Sequence, residues 1–257
     1  MRRWRVFRLG AALLLGGVAC GLGLYRLINA RTFQVFGTLV ASVPRADKVI
    51  ALTIDDGPTP EGTAALLAFL GKRQVRATFF VNGEFMRRYP EAGQRIVQAG
   101  HQLGNHGDTH TRMIFRSQAF IGREIETTDD AIRAAGYQGR IVFRPPYGKK
   151  LLGLPWFLRA TGRLTVMWNL EPDSASGVPQ TPEGQAAYVS SRATPGSILL
   201  MHAMFDTSGD KRRALDLMIR ALATAGYRFV TLDELLQRLP GDIHSSGDRL
   251  RTRERYQ

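Results

Sequence analysis

Cysteine is almost absent from this sequence: its 257 residues include only Cys20, which lies in an apolar stretch near the N-terminus. One cysteine cannot form an intrachain disulfide, so cysteine usage does not indicate the redox compartment. The sequence also lacks internal repeats and Pro/Gly-rich linkers after residue 46. A chain of this length can bury a substantial core, and these absences favour one large domain.

Acidic residues are scarce, since 22 Asp and Glu stand against 35 Lys and Arg. Much of the excess lies at the two ends of the chain. Residues 1–31 contain six arginines and no acid, and residues 238–257 contain five arginines and three acids, so the body carries only about +5 of the net +13. The body has no basic stripe with interleaved aromatic residues, so we predict no nucleic-acid partner.

The first 30 residues have the composition of a targeting or anchoring segment. Four arginines in residues 1–8 precede an uncharged run at 9–25, whose length is close to the lower limit of about 17 residues for a membrane-spanning helix. Basic flanks remain cytoplasmic, which predicts a single-pass anchor in a bacterial cytoplasmic membrane with the body outside, in the periplasm. A cleaved signal peptide, with residues 28–30 as its cleavage site, is the alternative. Lipidation of Cys20 is disfavoured because Gly17 stands where a lipobox has Leu.

Strand-like and helix-like segments alternate after residue 46. Strands are predicted at 49–54, 75–81, 102–105, 141–143, 164–170, 197–201 and 228–232. Helices are predicted at 60–72, 90–99, 117–135, 182–192, 212–225 and 233–238. This alternation predicts an α/β fold with a parallel sheet and outer helices, and about seven strands favour a single distorted barrel. The predicted organisation is an N-terminal segment at 1–30, a linker at 31–46, a catalytic domain at 47–238 and a basic polar tail at 239–257.

Metal-competent and ionisable residues follow four of the predicted strands. These are Asp55 with Asp56, His106 with His110, Arg144 with Tyr147, and His202. In a parallel α/β barrel the carboxyl ends of the strands form the rim where active sites are built. Taken singly, the Asp-Asp-Gly-Pro sequence is also typical of a turn, and a lone histidine after an apolar strand is more often structural. Their coincidence at one rim favours catalysis.

Each of these strand ends suits a different chemical task. Two histidines four residues apart and one aspartate leave an open fourth position, as in catalytic zinc sites. The prolines before Tyr147 hold its backbone amide as a potential oxyanion donor, and Arg144 can pair with a carboxylate. Two further acids, Glu171 and Asp173, end the strand at 164–170 and can orient a histidine.

Five motifs together resemble those of the polysaccharide deacetylases (carbohydrate esterase family four, the NodB homology domain). They are TIDDGP, HGDTH, RPPYG, WNLEPD and ILLMH, in this order within residues 47–238. The resemblance implies a distorted (β/α) barrel and a divalent metal held by Asp56, His106 and His110. It further implies Asp55 as the general base positioned by Arg144, His202 as the general acid, and Tyr147 as the oxyanion donor. Pro146, Trp168, Glu171, Asp173 and Leu200 are expected to support the site or line the substrate pocket.

The sequence departs from the family pattern in three places. Ile54 replaces Phe in the first motif, and Gly107 replaces Ser or Thr in the second, which removes a hydrogen bond from that loop. The fourth motif lacks a later Asp-Trp pair, so both Glu171 and Asp173 remain candidates for orienting His202. His101 and His244 match no catalytic motif.

The resemblance implies hydrolysis of N-acetyl groups on N-acetylglucosamine-type units of an extracytoplasmic glycan, with release of acetate. Two alternatives are an O-acetyl carbohydrate esterase using the same site and a catalytically inactive, membrane-tethered glycan-binding protein. Zinc is the expected ion, although a site of two histidines and one aspartate accepts several divalent metals. The identity of the glycan and the oligomeric state are left open.

Overall fold

The fold is of the α/β class with parallel strands. The structure is a computed structural model that describes residues 2–237, with side chains from residue 13 onward; the predicted tail at 239–257 lies outside the described residues. The helices are α1 (Arg2–Asn29), α2 (Pro60–Arg73), α3 (Gly83–Arg88), α4 (Pro90–Gln98), α5 (Gln118–Ala134), α6 (Gly153–Ala160), α7 (Pro182–Arg192), α8 (Asp210–Thr224) and α9 (Leu232–Leu236). The strands are β1 (Leu39–Val40), β2 (Val49–Asp55), β3 (Thr78–Val81), β4 (Gln102–Asn105), β5 (Thr165–Val166), β6 (Ile198–Met201) and β7 (Arg228–Val230).

Strand β2 is the centre of the main sheet. The strand order is β4-β3-β2-β6, β7 also pairs with β2, and β1 pairs separately with β5. All of these pairings are parallel. Every residue of β2 is buried, as expected for a parallel strand that is covered on both faces. Because the strands run in one direction, their carboxyl ends lie at the same edge of the sheet.

The two faces of β2 enter different parts of the core. Ile50, Leu52 and Ile54 belong to a cluster completed by side chains of α2, α7 and α8. Val49 and Ala51 belong to a second cluster, which includes residues of β6 and α9. Alternate side chains of a strand point to opposite faces, so the apolar run predicted at 49–54 anchors both sides of the sheet and fixes the position of the residues that follow it.

The segments at 141–143 and 164–170 form less strand than the sequence predicts. Phe143 makes single parallel bridges to Asn105 and Thr165, and Leu170 makes one to Leu199. The ladder at Phe143 does not continue because two prolines follow Arg144 and have no N–H to donate. The bridges connect neighbouring strands, but the closed barrel stays a prediction.

The helices predicted at 60–72, 90–99, 117–135, 182–192 and 212–225 are confirmed to within two residues. Two short helices, α3 and α6, were not predicted. Helix α6 begins with Gly153 and has Pro155 in its first turn, where a proline is tolerated because its missing N–H has no helical partner. A glycine and a proline so close together are more typical of a loop, which explains why the sequence pattern misses this helix.

The N-terminal segment is helical and its end contacts the body of the protein. The backbone N–H of Lys150 donates to the carbonyl of Ile28 at 3.3 Å, and the Lys150 ammonium donates to the carbonyl of Ala30. Within the described part of the chain, no helix combines the length and apolar character needed to span a bilayer. The membrane-anchoring role assigned to this segment stays a prediction.

Candidate active site and metal centre

Asp55 ends β2 and is held by a buried arginine. Arg144 Nη1 donates to Asp55 Oδ1 at 2.5 Å and to Thr53 Oγ1 at 2.8 Å. The rest of the guanidinium donates to the carbonyl oxygens of Val166 and Met167. Arg144 is fully buried, so these acceptors replace its water. Burial raises the pKa of Asp55 above its usual range, while the Arg144 guanidinium acts in the opposite direction.

Asp56, His106 and His110 form a group that could hold a metal ion. Their potential ligand atoms all lie within 4.8 Å of one another. Asp56 Oδ1 is 3.4 Å from His110 Nε2 and 3.7 Å from His106 Nε2. Ligands bound to zinc at about 2.0–2.2 Å in tetrahedral geometry are about 3.4 Å apart, so these spacings fit a divalent ion.

The environment of His106 prepares it for metal binding. Its Nδ1 lies 2.8 Å from the carbonyl oxygen of Arg144, so Nδ1 carries the proton and Nε2 offers its lone pair towards Asp56. Such a hydrogen bond on the far nitrogen is usual for metal-binding histidines. Burial also lowers the pKa of His106 to about 3, which keeps the ring neutral. The same Nε2 is 3.6 Å from Asp55 Oδ2, so the metal group and the predicted base are neighbours.

The loop between the two histidines is braced by Glu124 of α5. The Glu124 carboxylate accepts hydrogen bonds from the backbone N–H groups of Asp108 and Thr109, both at 3.0 Å, and from Thr109 Oγ1 at 2.9 Å. Gly107 has a φ of +79°, and a Cβ there would lie 3.2 Å from Met113 Cε. Glycine therefore suits this left-handed position better than Ser or Thr. Gly107 lacks the side-chain hydroxyl that the family pattern has at this position. The hydrogen bonds from the loop to Glu124 hold the loop without it.

Three site residues adopt left-handed backbone conformations that only a few per cent of non-glycine residues share. They are Asp56 (φ +73°), His110 (φ +57°) and Tyr147 (φ +58°). Backbone strain of this kind is concentrated at functional sites, where the surrounding structure enforces it. The Tyr147 ring contacts the His110 ring at a centroid distance of 4.4 Å, which places the Tyr147 side chain beside the metal group.

Asp173, rather than Glu171, is the carboxylate that contacts His202. Asp173 Oδ2 accepts from the His202 backbone N–H at 2.7 Å, and both carboxylate oxygens lie 3.3 Å from His202 Nδ1. Burial, the largest single effect, lowers the pKa of His202, but the hydrogen bond and charge of Asp173, together with the charges of Asp55 and Asp56, raise the pKa to about 9. Glu171 instead accepts hydrogen bonds from Trp168 Nε1 and from Ser174 and pairs with Arg31.

We expect Asp173→Asn to move the pKa of His202 from about 9 towards the ordinary value of 6.5. The reason is that the substitution removes the negative charge that stabilises the imidazolium. NMR titration of the His202 ring measures the shift directly. Because the pKa of His202 is raised by folding, its contribution to stability is complete below pH 6.5 and is lost as the pH rises through about 9. Glu171→Gln is the matched control and should leave the His202 titration in place.

Six of the predicted site residues line one cavity. Its volume is about 450 Å³, and Asp55, Tyr147, Trp168, Glu171, Leu200 and His202 line it. Arg144 and Asp173 lie behind its wall in contact with Asp55 and His202, and Pro146 packs beside Gly107. The structure brings the predicted residues together; the chemical role assigned to each stays a prediction.

Several cavity residues were not predicted from the sequence. Asn29, Arg31, Arg112, Lys149 and Ser174 also line the cavity, and Lys211 donates to Asp173 at 3.1 Å. Lys149 directly follows the third motif and Arg112 lies two residues after the second, so their proximity along the chain could have suggested them. Arg31 carries no such indication, because its partner Glu171 lies 140 residues away.

Comparison with known proteins identifies the family to which the chain is similar. A family model described as polysaccharide deacetylase matches residues 42–162. The chain is 34% identical over 204 residues to the peptidoglycan-N-acetylmuramic acid deacetylase PdaC of Bacillus subtilis, covering 76% of this chain and 42% of that protein. It is 33% identical over 193 residues to a peptidoglycan-N-acetylglucosamine deacetylase of Bacillus cereus, covering 73% of this chain and 68% of that protein. The chain therefore spans less than half the length of one of these relatives.

Solved structures with the same fold include both active and inactive proteins. The Bc1960 peptidoglycan N-acetylglucosamine deacetylase superposes with a TM-score of 0.71 at 32% identity, covering 77% of this chain and 92% of that chain. BA3943 of Bacillus anthracis, described as a carbohydrate esterase family 4 pseudoenzyme, superposes with a TM-score of 0.68 at 28% identity, covering 78% of this chain and 69% of that chain. The fold alone therefore does not establish catalysis, and the site residues must carry that argument.

Proposed function

The chain belongs to the polysaccharide deacetylase family, and from this premise we propose that it hydrolyses N-acetyl groups on amino sugars of an extracytoplasmic glycan, releasing acetate. One observation carries the proposal: Asp55 lies 3.6 Å from a histidine of the metal group and lines the same cavity as His202. A base and an acid that line one cavity, with a metal group next to the base, are the components of metal-assisted amide hydrolysis. The named relatives that act on peptidoglycan make peptidoglycan the first substrate to test.

Asp56, His106 and His110 would hold the metal ion, for which zinc is our proposal. When bound, a divalent ion polarises the acetyl carbonyl and makes water more acidic. Asp55 Oδ1 is occupied by Arg144, whereas Oδ2 faces His106. We therefore assign Oδ2 as the atom that takes the proton from the attacking water. The Tyr147 backbone N–H donates to the oxyanion that forms as the water oxygen bonds to the acetyl carbon.

His202 completes the reaction as the general acid. Its Nδ1 faces Asp173, so Nε2 is the nitrogen that gives its proton to the departing amine as the C–N bond breaks. An amide requires this step because an unprotonated amine is a poor leaving group. The raised pKa of His202, about 9, keeps the imidazole protonated at neutral pH and ready to act.

We expect the purified full-length protein, supplied with Zn²⁺, to release acetate from N-acetylated peptidoglycan fragments and chitooligosaccharides. Acetate is measured enzymatically, and a parallel assay uses an O-acetylated xylan. Release from the ester substrate alone would favour the O-acetyl esterase alternative. No release from any of the substrates, at any metal supplied, would favour the inactive glycan-binding alternative and overturn the proposal.

We further propose that residues 1–30 direct the body across the bacterial cytoplasmic membrane. The basis is the arginine-rich start followed by an uncharged run, together with the rule that basic flanks stay cytoplasmic. We expect alkaline phosphatase fused to the C-terminus to be active, because this reporter requires export. The matched control, β-galactosidase at the same position, should be inactive. The opposite pattern of reporter activities would show that the body stays in the cytoplasm.

A further inference from the structure

The end of α1 and the residues after it are fixed to the loop that follows the third motif. Ile28 and Ala30 accept hydrogen bonds from Lys150, the first from its backbone N–H and the second from its ammonium. Asn29 accepts one from the Lys149 ammonium. The two lysines directly follow the third motif. Three consecutive residues of the N-terminal segment are therefore bound to a loop of the active site.

Arg31, the next residue of this segment, contacts the fourth motif. Its guanidinium carbon lies 4.9 Å from the centroid of the Trp168 ring, and the guanidinium pairs with Glu171. The Trp168 indole N–H donates to the same carboxylate oxygen, Glu171 Oε2, at 2.8 Å. Ser174 Oγ donates to the other oxygen at 2.7 Å. Arg31, Trp168 and Glu171 therefore form a closed group in which each side chain contacts the other two.

Trp168 is the member of this group whose orientation matters most for a ligand. The indole lines the cavity, where a flat apolar ring offers a packing surface to a bound sugar. It also packs closely against the third motif, because a Cβ at Gly148 would lie only 2.9 Å from Trp168 Cη2. The hydrogen bond to Glu171 and the stacked Arg31 guanidinium then determine how the ring faces the cavity.

The exposure of Arg31 indicates a local effect rather than a contribution to folding. Its side chain is 47% exposed, whereas that of Glu171 is 10% exposed. An ion pair with such an exposed partner contributes little to stability because solvent screens it. The arginine covers the indole and the nearly buried carboxylate from solvent, so its loss should change the position of Trp168 more than the stability of the fold.

We propose that Arg31 is a positioning residue, which holds the Trp168 indole in the orientation in which the cavity binds a sugar. It acts by stacking on the ring and by pairing with the carboxylate that accepts from the indole. Residues 28–30 keep Arg31 in place through their contacts with Lys149 and Lys150. The inference rests on the proposed deacetylase function. Cleavage after residue 30 would release these contacts, so the segment serves the active site as an uncleaved part of the chain.

Arg31→Ala is expected to raise KM for acetate release from chitooligosaccharides by about 3–30-fold, as for the loss of one cation–π contact. It should change kcat little, because Trp168 and Glu171 are not the residues assigned to proton transfer. A rise in KM at constant kcat is the pattern of lost ground-state binding. Arg31→Lys keeps the charge without the planar guanidinium, so it should recover part of the binding. A lower kcat at unchanged KM would overturn the inference.

A double-mutant cycle tests whether Arg31 acts through the indole. In the Trp168→Leu background, which lacks both the ring and its N–H, Arg31→Ala should have little further effect on KM, because residues that act as one group are not additive. If Trp168→Leu does not fold, Glu171→Gln provides the second background and keeps the ring. Fully additive effects on KM would show that Arg31 acts independently of this group and would refute the proposal.

Arg76→Ala is the matched control. Arg76 pairs with the distant Glu234, and its side chain is 58% exposed, so the substitution removes a similar ion pair and should leave KM unchanged. Unchanged KM in Arg31→Ala, or an equal rise in Arg76→Ala, would overturn the inference and leave the deacetylase function in place. If no substrate releases acetate, calorimetry with the unreacted chitooligosaccharide decides: weaker binding to Arg31→Ala supports the positioning role, and equal binding refutes it.

Discussion

Replacement of His106 by alanine is expected to remove the metal from the protein and to reduce acetate release to background. His106 offers one of only three protein ligands in the group, and loss of one leaves a two-ligand site that binds a divalent ion weakly. The ring is also buried, with its Nδ1 bound to the Arg144 carbonyl, so the substitution removes a buried hydrogen bond as well as a ligand. Elemental analysis and the acetate assay measure the two effects.

His101→Ala is the matched control for loss of a buried histidine. His101 Nδ1 accepts from the backbone N–H of Ala77 at 3.1 Å and lies outside the metal group, so its loss should lower the melting temperature without lowering metal content. Chelation of the wild-type protein should abolish activity, and added Zn²⁺ should restore it. Full activity of the chelated, metal-free protein would contradict the metal-assisted reaction.

The sequence predicts the location of the site well because strand ends are local features. An apolar run such as residues 49–54 must be buried, and in a parallel sheet its carboxyl end lies beside those of its neighbours. The sequence pattern alone therefore predicts that Asp55, His106 and His202 lie close together. The short strand at Phe143 was overestimated, because its apolar run is followed by prolines that cannot extend a ladder.

Contacts between distant segments could not be predicted in the same way. Glu124 lies on α5, and a glutamate on an amphipathic helix is typical of the solvent-exposed face. In the structure it is buried and accepts hydrogen bonds from the loop that carries the histidines. Arg31 reaches the cavity because the chain after α1 turns onto the body, a tertiary arrangement without a local pattern. Which of Glu171 and Asp173 contacts His202 likewise depends on the direction of each side chain. The sequence does not predict that direction, because the two residues lie in an irregular segment.

Asp55 and Asp56 are adjacent in sequence, but the structure places them in different environments. Asp55 is buried and bound to Arg144, whereas Asp56 turns out of the strand with a φ of +73° and faces both histidines. The two carboxylates should therefore fail in different ways when their charge is removed. This difference separates a proton acceptor from a metal ligand.

We expect Asp55→Asn to keep the metal while turnover falls by about 10²–10⁴-fold, the usual effect of losing a positioned base. The asparagine side-chain oxygen can still accept from Arg144, which limits the cost of leaving that buried guanidinium without its carboxylate. The melting temperature must be measured alongside turnover, because a large decrease would indicate that the buried pair acts mainly through stability. Metal content is measured on the same preparation.

Asp56→Asn should show the opposite pattern. An amide oxygen is a weaker ligand than a carboxylate for a divalent ion, so metal affinity should fall, and high metal concentrations should recover part of the activity. Asp55→Asn, in contrast, should not respond to added metal, because its site is already filled. If Asp55→Asn loses its metal and Asp56→Asn retains it, the two roles are reversed. If neither substitution changes turnover, the catalytic centre lies elsewhere and the roles assigned to the first motif are wrong for this chain.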